Sequence, residues 1–159
     1  MGLLRYGVFV LLCITSAITY AQGSTATIKL EDYKGRPVSI NHVPYKLSVV
    51  HFWATWCSPC LRELPQLVKT ETKLKELGLG VIYVATDNRD DVQNYLHEQD
   101  LGINALLDQY GKAMRHYKIK VLPSSVFINA DGNILETHHG PIGWEGQAMR
   151  NKLQTFLSR

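Results

Sequence analysis

His51-Phe52-Trp53-Ala54-Thr55-Trp56-Cys57-Ser58-Pro59-Cys60 joins two different kinds of backbone pattern. Upstream, Leu47 to Trp53 (LSVVHFW) is nearly continuous in apolar, β-branched and aromatic residues, the pattern of a buried central strand. Downstream, Leu61, Leu64, Leu67, Val68, Leu74 and Leu77 recur at helical spacing. They predict a helix from about Ser58 to Leu77, with Gly78 as its natural stop. Pro65 falls inside that helix and is expected to kink it. Two cysteines therefore stand where a strand hands over to a helix. Unpaired N–H groups and the macrodipole at a helix N-terminus favour a thiolate. Cys57, at or just before the first turn, is expected to have a depressed pKa, and Cys60, one turn further in, to be covered and less acidic.

Outward from this junction, strands and helices alternate. Leu79–Ala85 reads as a second buried strand, Asp90–Gln99 as a helix, Ala105–Leu107 as a short strand and Tyr110–Tyr117 as another helix. Ser125–Asn129 and Ile134–His138 flank Ala130-Asp131-Gly132-Asn133, a strong hairpin signal. Met149, Leu153, Phe156 and Leu157 give a last helix its apolar face. Near the start, Thr27–Leu30 and Val38–Ile40 read as short strands around the turn Lys34-Gly35-Arg36-Pro37. The expected class is α/β, a mixed sheet sandwiched between helices.

The chain has 159 residues, 45% of them apolar and 19% charged, which suits one domain with one core and excludes disordered, collagen-like and coiled-coil chains. A net charge of +3 is too small for an electrostatic grip on nucleic acid. The first twenty-one residues differ from the rest: Arg5 precedes an apolar run from Gly7 to Ile18, and Thr19-Tyr20-Ala21 follows. This reads as a secretory signal cleaved after Ala21, or as an uncleaved membrane anchor. Residues 22–159 then form the folded domain. Cys13 lies inside the apolar run, preceded by bulky Leu11 and Leu12, and is read as a bland leader residue.

Without the leader only Cys57 and Cys60 remain. So small a loop removes little unfolded-state entropy, so the pair is chemical rather than a staple. Zinc would need two further ligands, and there is no other C-x-x-C or suitably spaced histidine set. Haem attachment needs a histidine after the second cysteine, and residue 61 is leucine. A C-x-x-C after a strand in a βαβ-like pattern is a redox signature. Lowering a thiol pKa from about 8.5 to about 7 raises the thiolate fraction at neutral pH roughly fifteenfold. Intrinsic nucleophilicity falls roughly fivefold at the same time, leaving about threefold net. Acidity at Cys57 therefore decides direction more than speed.

Residues 52–60 (FWATWCSPC) resemble the active site of thioredoxin-fold proteins, most closely the exported TlpA-like/ResA-like branch, which includes the thioredoxins of cytochrome c maturation. Other separated features are similar as well. Pro65 lies five residues after the second cysteine, where the family kinks its helix. Leu122-Pro123-Ser124-Ser125-Val126-Phe127-Ile128 resembles the family's cis-proline strand, and Asp131-Gly132 its hairpin. Glu63 matches an acidic position typical of the branch, and Asp90–Leu107 is similar to its insert. The resemblance spans about residues 27 to 157. It implies a thioredoxin fold with an N-terminal strand extension and a central insert.

It also implies roles. Cys57 attacks a partner's disulfide and Cys60 resolves the mixed disulfide. Leu122 presents its backbone to a bound peptide before a cis Pro123. Trp56 shapes the contact surface, while Trp53 packs in the core. Ser58 and Pro59 tune the redox turn. Glu63 shares a helix face with Cys60 and reads as a partly desolvated carboxylate assisting proton transfer, or else as an exposed early-helix glutamate. His51 is the departure, because thioredoxins usually carry Asp there and the TlpA-like branch often Asn. On the face of Val49 and Trp53 a buried, neutral His51 would tune deprotonation of Cys60, or simply sit hydrogen-bonded in the core. His138 and His139 read as exposed, and Asp87–Asp91 as a solvated loop and helix start.

The implied activity is an exported, periplasmic thiol–disulfide oxidoreductase that reduces protein disulfides with no cofactor beyond its own dithiol and no metal. Apocytochrome c or a copper-site assembly factor is the implied target and a membrane thiol carrier the donor, with the protein acting as a monomer. The competing readings are a disulfide-forming oxidant and a copper-binding metallochaperone, although copper chaperones on this fold usually space their cysteines by three.

Overall fold

The computed structural model describes residues 28–40 and 45–158. The leader, Cys13, the cleavage position and the expected strand start at Thr27 lie outside the described residues. Seven strands form one mixed sheet: β1 (Ile28–Asp32), β2 (Pro37–Ile40), β3 (Leu47–Trp53), β4 (Leu79–Ala85), β5 (Ala105–Leu107), β6 (Ser124–Asn129) and β7 (Ile134–His139). Their order is β2-β1-β5-β4-β3-β6-β7. The helices are α1 (Ser58–Leu74), α2 (Arg89–Glu98), α3 (Lys112–His116) and α4 (Gln147–Leu157). This is the thioredoxin arrangement, with β1–β2 as the N-terminal extension and α2–β5 as the insert.

β3 is buried along its whole length because it is central, parallel to β4 across α1 and antiparallel to β6. Its alternation splits the core. Val49 and Trp53 face the layer of α1, α2 and α4, while Val50 and Phe52 face α3 and the β1–β2 hairpin. α1 runs unbroken through Pro65 to Leu74, where a 3₁₀ turn, Lys75–Leu77, replaces the last turn predicted as α-helix. Gly78, at φ 99°, closes it in the left-handed conformation that glycine tolerates. The remaining boundaries move by a residue or two, as element ends do. Among the described residues no helix is long and apolar enough to cross a membrane.

Gly80 has a different reason for being glycine. Any Cβ there would run into the ring of Tyr45, which lies over the β4 backbone. Gly80→Ala is expected to destabilise the fold by about 1–3 kcal/mol through overpacking. Urea unfolding measures it, and a loss below a few tenths would show that the Tyr45 ring simply swings away.

Candidate active site

Parallel strands β3, β4 and β5 end level with one another, as Trp53 pairs with Ala85 and Ala85 with Leu107. The loop leaving β3 at this end carries Trp56 and then Cys57, which is the N-cap of α1. Its Sγ accepts the Cys60 N–H at 3.3 Å, a donor that the first turn of the helix leaves free. Cys57 and Cys60 are joined as a disulfide. Cys57 keeps 5% of its surface exposed and Cys60 none, so the expected order of access holds, with a narrower opening than expected. Around that opening Trp56 is 71% exposed and Ser58 is exposed, while Trp53 is fully buried.

The loop is clamped from below. Asp87, just past β4, accepts the Thr55 N–H through Oδ2 at 2.5 Å and is buried. The reading of Asp87–Asp91 as solvated is corrected at this residue, because a carboxylate placed beneath a turn replaces water for its N–H groups. The helix start is as read, with Asn88 capping Asp91 N–H at 3.0 Å. The Leu122–Pro123 peptide is cis. Ser124 holds that loop by donating to the Val121 carbonyl at 2.9 Å, and it also meets His139 Nδ1 at 3.0 Å. His139 is exposed, as read, while His138 is half-buried rather than exposed.

One turn along α1 from Cys60, Glu63 enters a buried polar cluster. Glu63 is 3% exposed, and its Oε2 accepts the Ile142 N–H at 2.6 Å. Its Oε1 faces His51 Nε2 at 3.4 Å. His51, fully buried, places Nδ1 3.0 Å from Ser125 Oγ, the residue opposite it across β3 and β6. Trp144 packs beside the cluster, its ring edge-on to His51 at 6.2 Å, and among the described residues its buried indole N–H has no hydrogen-bond partner. The reading of Glu63 as an exposed early-helix residue is thereby excluded.

Burial disfavours the charged form of both groups. It pushes Glu63 up to about 7, against a lesser pull from the Ile142 N–H, and His51 down to about 3. Because Ile142 donates to Oε2, a proton on Glu63 belongs on Oε1, aimed at the His51 Nε2 lone pair, with Nδ1–H donating to Ser125. When that proton leaves, the imidazole can switch tautomer, so that Nε2–H donates to Oε1 and the Ser125 hydroxyl donates to Nδ1. In the structure the two facing atoms, 3.4 Å apart, stop short of a hydrogen bond. Among the described residues no three His, Cys, Asp or Glu side chains come together as a metal site.

A dithiol pair at the mouth of a helix, on this sheet order and with a cis-proline loop at the same end, defines a thioredoxin-fold thiol–disulfide oxidoreductase. The chain belongs to the AhpC/TSA family, whose sequence profile matches residues 21–137. It is similar to the thiol-disulfide oxidoreductase ResA of Bacillus thuringiensis subsp. konkukian, 29% identical over 133 residues, which are 83% of this chain and 68% of the relative. It is also similar to sporulation thiol-disulfide oxidoreductase A of Bacillus subtilis, 28% identical over 74% of this chain and 73% of that one. Its fold matches that of a thiol:disulfide interchange protein DsbE from Chlorobium tepidum, with a TM-score of 0.75, 24% identity and coverage of 84% and 95%.

Proposed function

We propose that the protein reduces disulfides of other proteins, cycling between the Cys57–Cys60 disulfide and the dithiol. The observation that carries this reading is the asymmetry of the pair: Cys57 caps the helix and keeps the pair's one small exposed surface, 5%, while Cys60, one turn behind, has none. The Cys57 thiolate attacks one sulfur of the partner's disulfide. A mixed disulfide forms, and the other partner sulfur leaves as a thiolate. Cys60 then gives up its proton and attacks Cys57 Sγ, which releases the second partner thiolate. Two electrons have passed to the partner, and the protein is oxidised.

The Glu63–His51 pair takes up the Cys60 proton, since Glu63 lies on the same helix face and is poised near neutrality. Trp56 and the Leu122–Pro123 loop receive the partner chain, and Ser58-Pro59 sets the redox turn. The dithiol carries the electrons itself, and no metal or other cofactor enters the cycle. The leader in residues 1–21 takes the domain 22–159 to the periplasm, cleaved or retained as an anchor, and a membrane thiol carrier reduces it again. Apocytochrome c or a copper-site assembly factor is the target class, met by a monomer.

The test uses insulin and a trap. The parent protein, recharged by a small dithiol, is expected to reduce insulin, and Cys60→Ser to accumulate one mixed disulfide on Cys57 per molecule. Absence of both insulin reduction and trapping would overturn the reductase reading.

A further inference from the structure

From Gln109 to Ala130 the chain has no Asp or Glu, yet Lys112, Arg115, Lys118 and Lys120 crowd into the same stretch. All four are exposed. Among the described residues none of them pairs with a carboxylate; other cations such as Lys46, Arg62 and Lys75 are unpaired too, but only here do four fall within nine residues. Arg115 donates instead to the Tyr110 carbonyl at 2.7 Å. The acid just upstream, Asp108, is buried, and its two oxygens accept the N–H groups of Ala113 and Met114. These cations thus stand as a net positive surface.

Topology brings that surface to the reactive end of the sheet. β5 ends at Leu107 beside Ala85, and β6 begins at Ser124 beside Phe52. The excursion between them leaves and rejoins the sheet at the end where β3 delivers Cys57, and it runs into the cis Leu122–Pro123 peptide. It is pinned to the fold. Ile119 N–H donates to Met114 O at 2.8 Å and Lys118 N–H to Arg115 O at 3.2 Å. These two bonds make a Schellman closure of α3, with buried Ile119 as its apolar anchor.

The residue in the left-handed position of that closure is Lys118, at φ 56°. Glycine is the usual occupant, because any Cβ is disfavoured in that conformation. A lysine at such a position places a cation where the backbone would prefer none, between exposed Arg115 and Lys120. The Lys112 end of the stretch borders the start of α2, where Arg89 lines the same cavity, so Lys118 and Lys120, next to the cis peptide in sequence, are its cations nearest the cis-proline loop.

We propose that the Lys112–Lys120 shelf docks the partner protein, selecting disulfides whose flanking chain is acidic on the side that lies along the cis-proline loop. This inference rests on the reductase reading and names the substrate class. Opposite charge steers encounter and sets orientation, and its effect fades with salt. A partner basic around its disulfide is turned away.

The experiment compares two matched disulfide peptides, one flanked by glutamates and one by lysines, as substrates of the full protein. At an ionic strength of about 0.01 M, where the Debye length is about 30 Å, the glutamate peptide is expected to react about tenfold faster. At about 1 M the ratio is expected to fall toward one. K118E/K120E is expected to lower the low-salt ratio at least threefold on the same grounds. K46E/K75E, with the same net charge but altered at the far end of the sheet, is expected to leave it. Lys118→Gly is expected to lower the ratio while holding or raising stability, which a merely structural role would not produce.

A ratio near one at low salt, or equal effects of the two double variants, overturns the shelf. So does a finding that K118E/K120E abolishes binding to anionic phospholipid vesicles with the peptide ratio unmoved, which would assign the shelf to a membrane. Exchange with an uncharged small disulfide is measured alongside. Its failure overturns the reductase reading and the shelf with it, whereas its success without charge preference overturns the shelf alone.

Discussion

Cys57→Ser is expected to lower kcat/KM for protein disulfide reduction by at least about 10³-fold, because the step it removes is the only entry of a nucleophile into the partner's S–S bond. Cys60→Ser should fail differently. The first attack needs only Cys57, so the variant reacts once and stops as a mixed disulfide, which mass spectrometry of a single turnover reads directly. The difference follows from position. Cys57 holds the cap where the helix dipole and the free N–H of Cys60 favour a thiolate, and it keeps the pair's only exposed surface. Thiol absorbance against pH in the reduced protein should place Cys57 ionising well below the ordinary cysteine pKa of about 8.5. If the two serine variants were interchangeable, or if Cys57 ionised like free cysteine, the assignment of attacker and resolver would be wrong.

The parts of this site that were legible in the sequence are those written locally. Leu47–Trp53 declares a buried strand by its own composition, the leucine spacing after Cys60 declares a helix, and the cysteines fall at their junction. Glu63 is one turn from Cys60 whatever the rest of the chain does. The cluster that Glu63 enters is not local. His51 meets Ser125 across 74 residues and Glu63 meets Ile142 across 79, and both contacts depend on how β6 registers against β3 and how the chain after β7 folds back. Alternation places His51 on a face, but it does not say which side chain from another strand will oppose it.

Asp87 was missed for a related reason. A run of acids and polar residues after a strand has the composition of a solvated turn, and only the close approach of Thr55, 32 residues away, turns one carboxylate into a clamp. Trp144 carried no periodic signal, since it lies between elements. Its fully buried ring against His51 and Phe127 is a product of the tertiary fold.

Glu63→Gln is expected to stabilise the oxidised protein at pH 8 while slowing turnover. The substitution keeps the shape of the side chain. Its amide oxygen can still accept the Ile142 N–H and its NH₂ can donate to His51 Nε2, with His51 Nδ1–H then donating to Ser125. What it removes is a buried charge. Burial raises the Glu63 pKa from 4.5 to about 7, so the favourable protonated state contributes fully below pH 4.5 and is lost as pH rises through about 7. The parent should therefore lose on the order of 2–3 kcal/mol relative to Glu63→Gln across that window. The two unfolding curves should agree near pH 4 and separate to a constant gap above about pH 7.5. His51 has the opposite sign. Burial depresses it from 6.5 to about 3, so its contribution is present above pH 6.5 and lost as pH falls through about 3. His51→Asn should thus lack the parent's acid-side decline, beside a pH-independent offset from the smaller side chain in a buried site. Urea titrations of the three proteins at pH 4, 6 and 8 test both arms. The same titrations connect to function, because a carboxyl poised near neutrality one turn from Cys60 is costly to the fold and useful to the thiol. Glu63→Gln should slow release of the mixed disulfide and flatten its pH dependence, and His51→Asn should shift the Cys60 ionisation. Parallel stability curves at every pH, or unchanged thiol ionisation and exchange rates in both variants, would reduce the pair to packing.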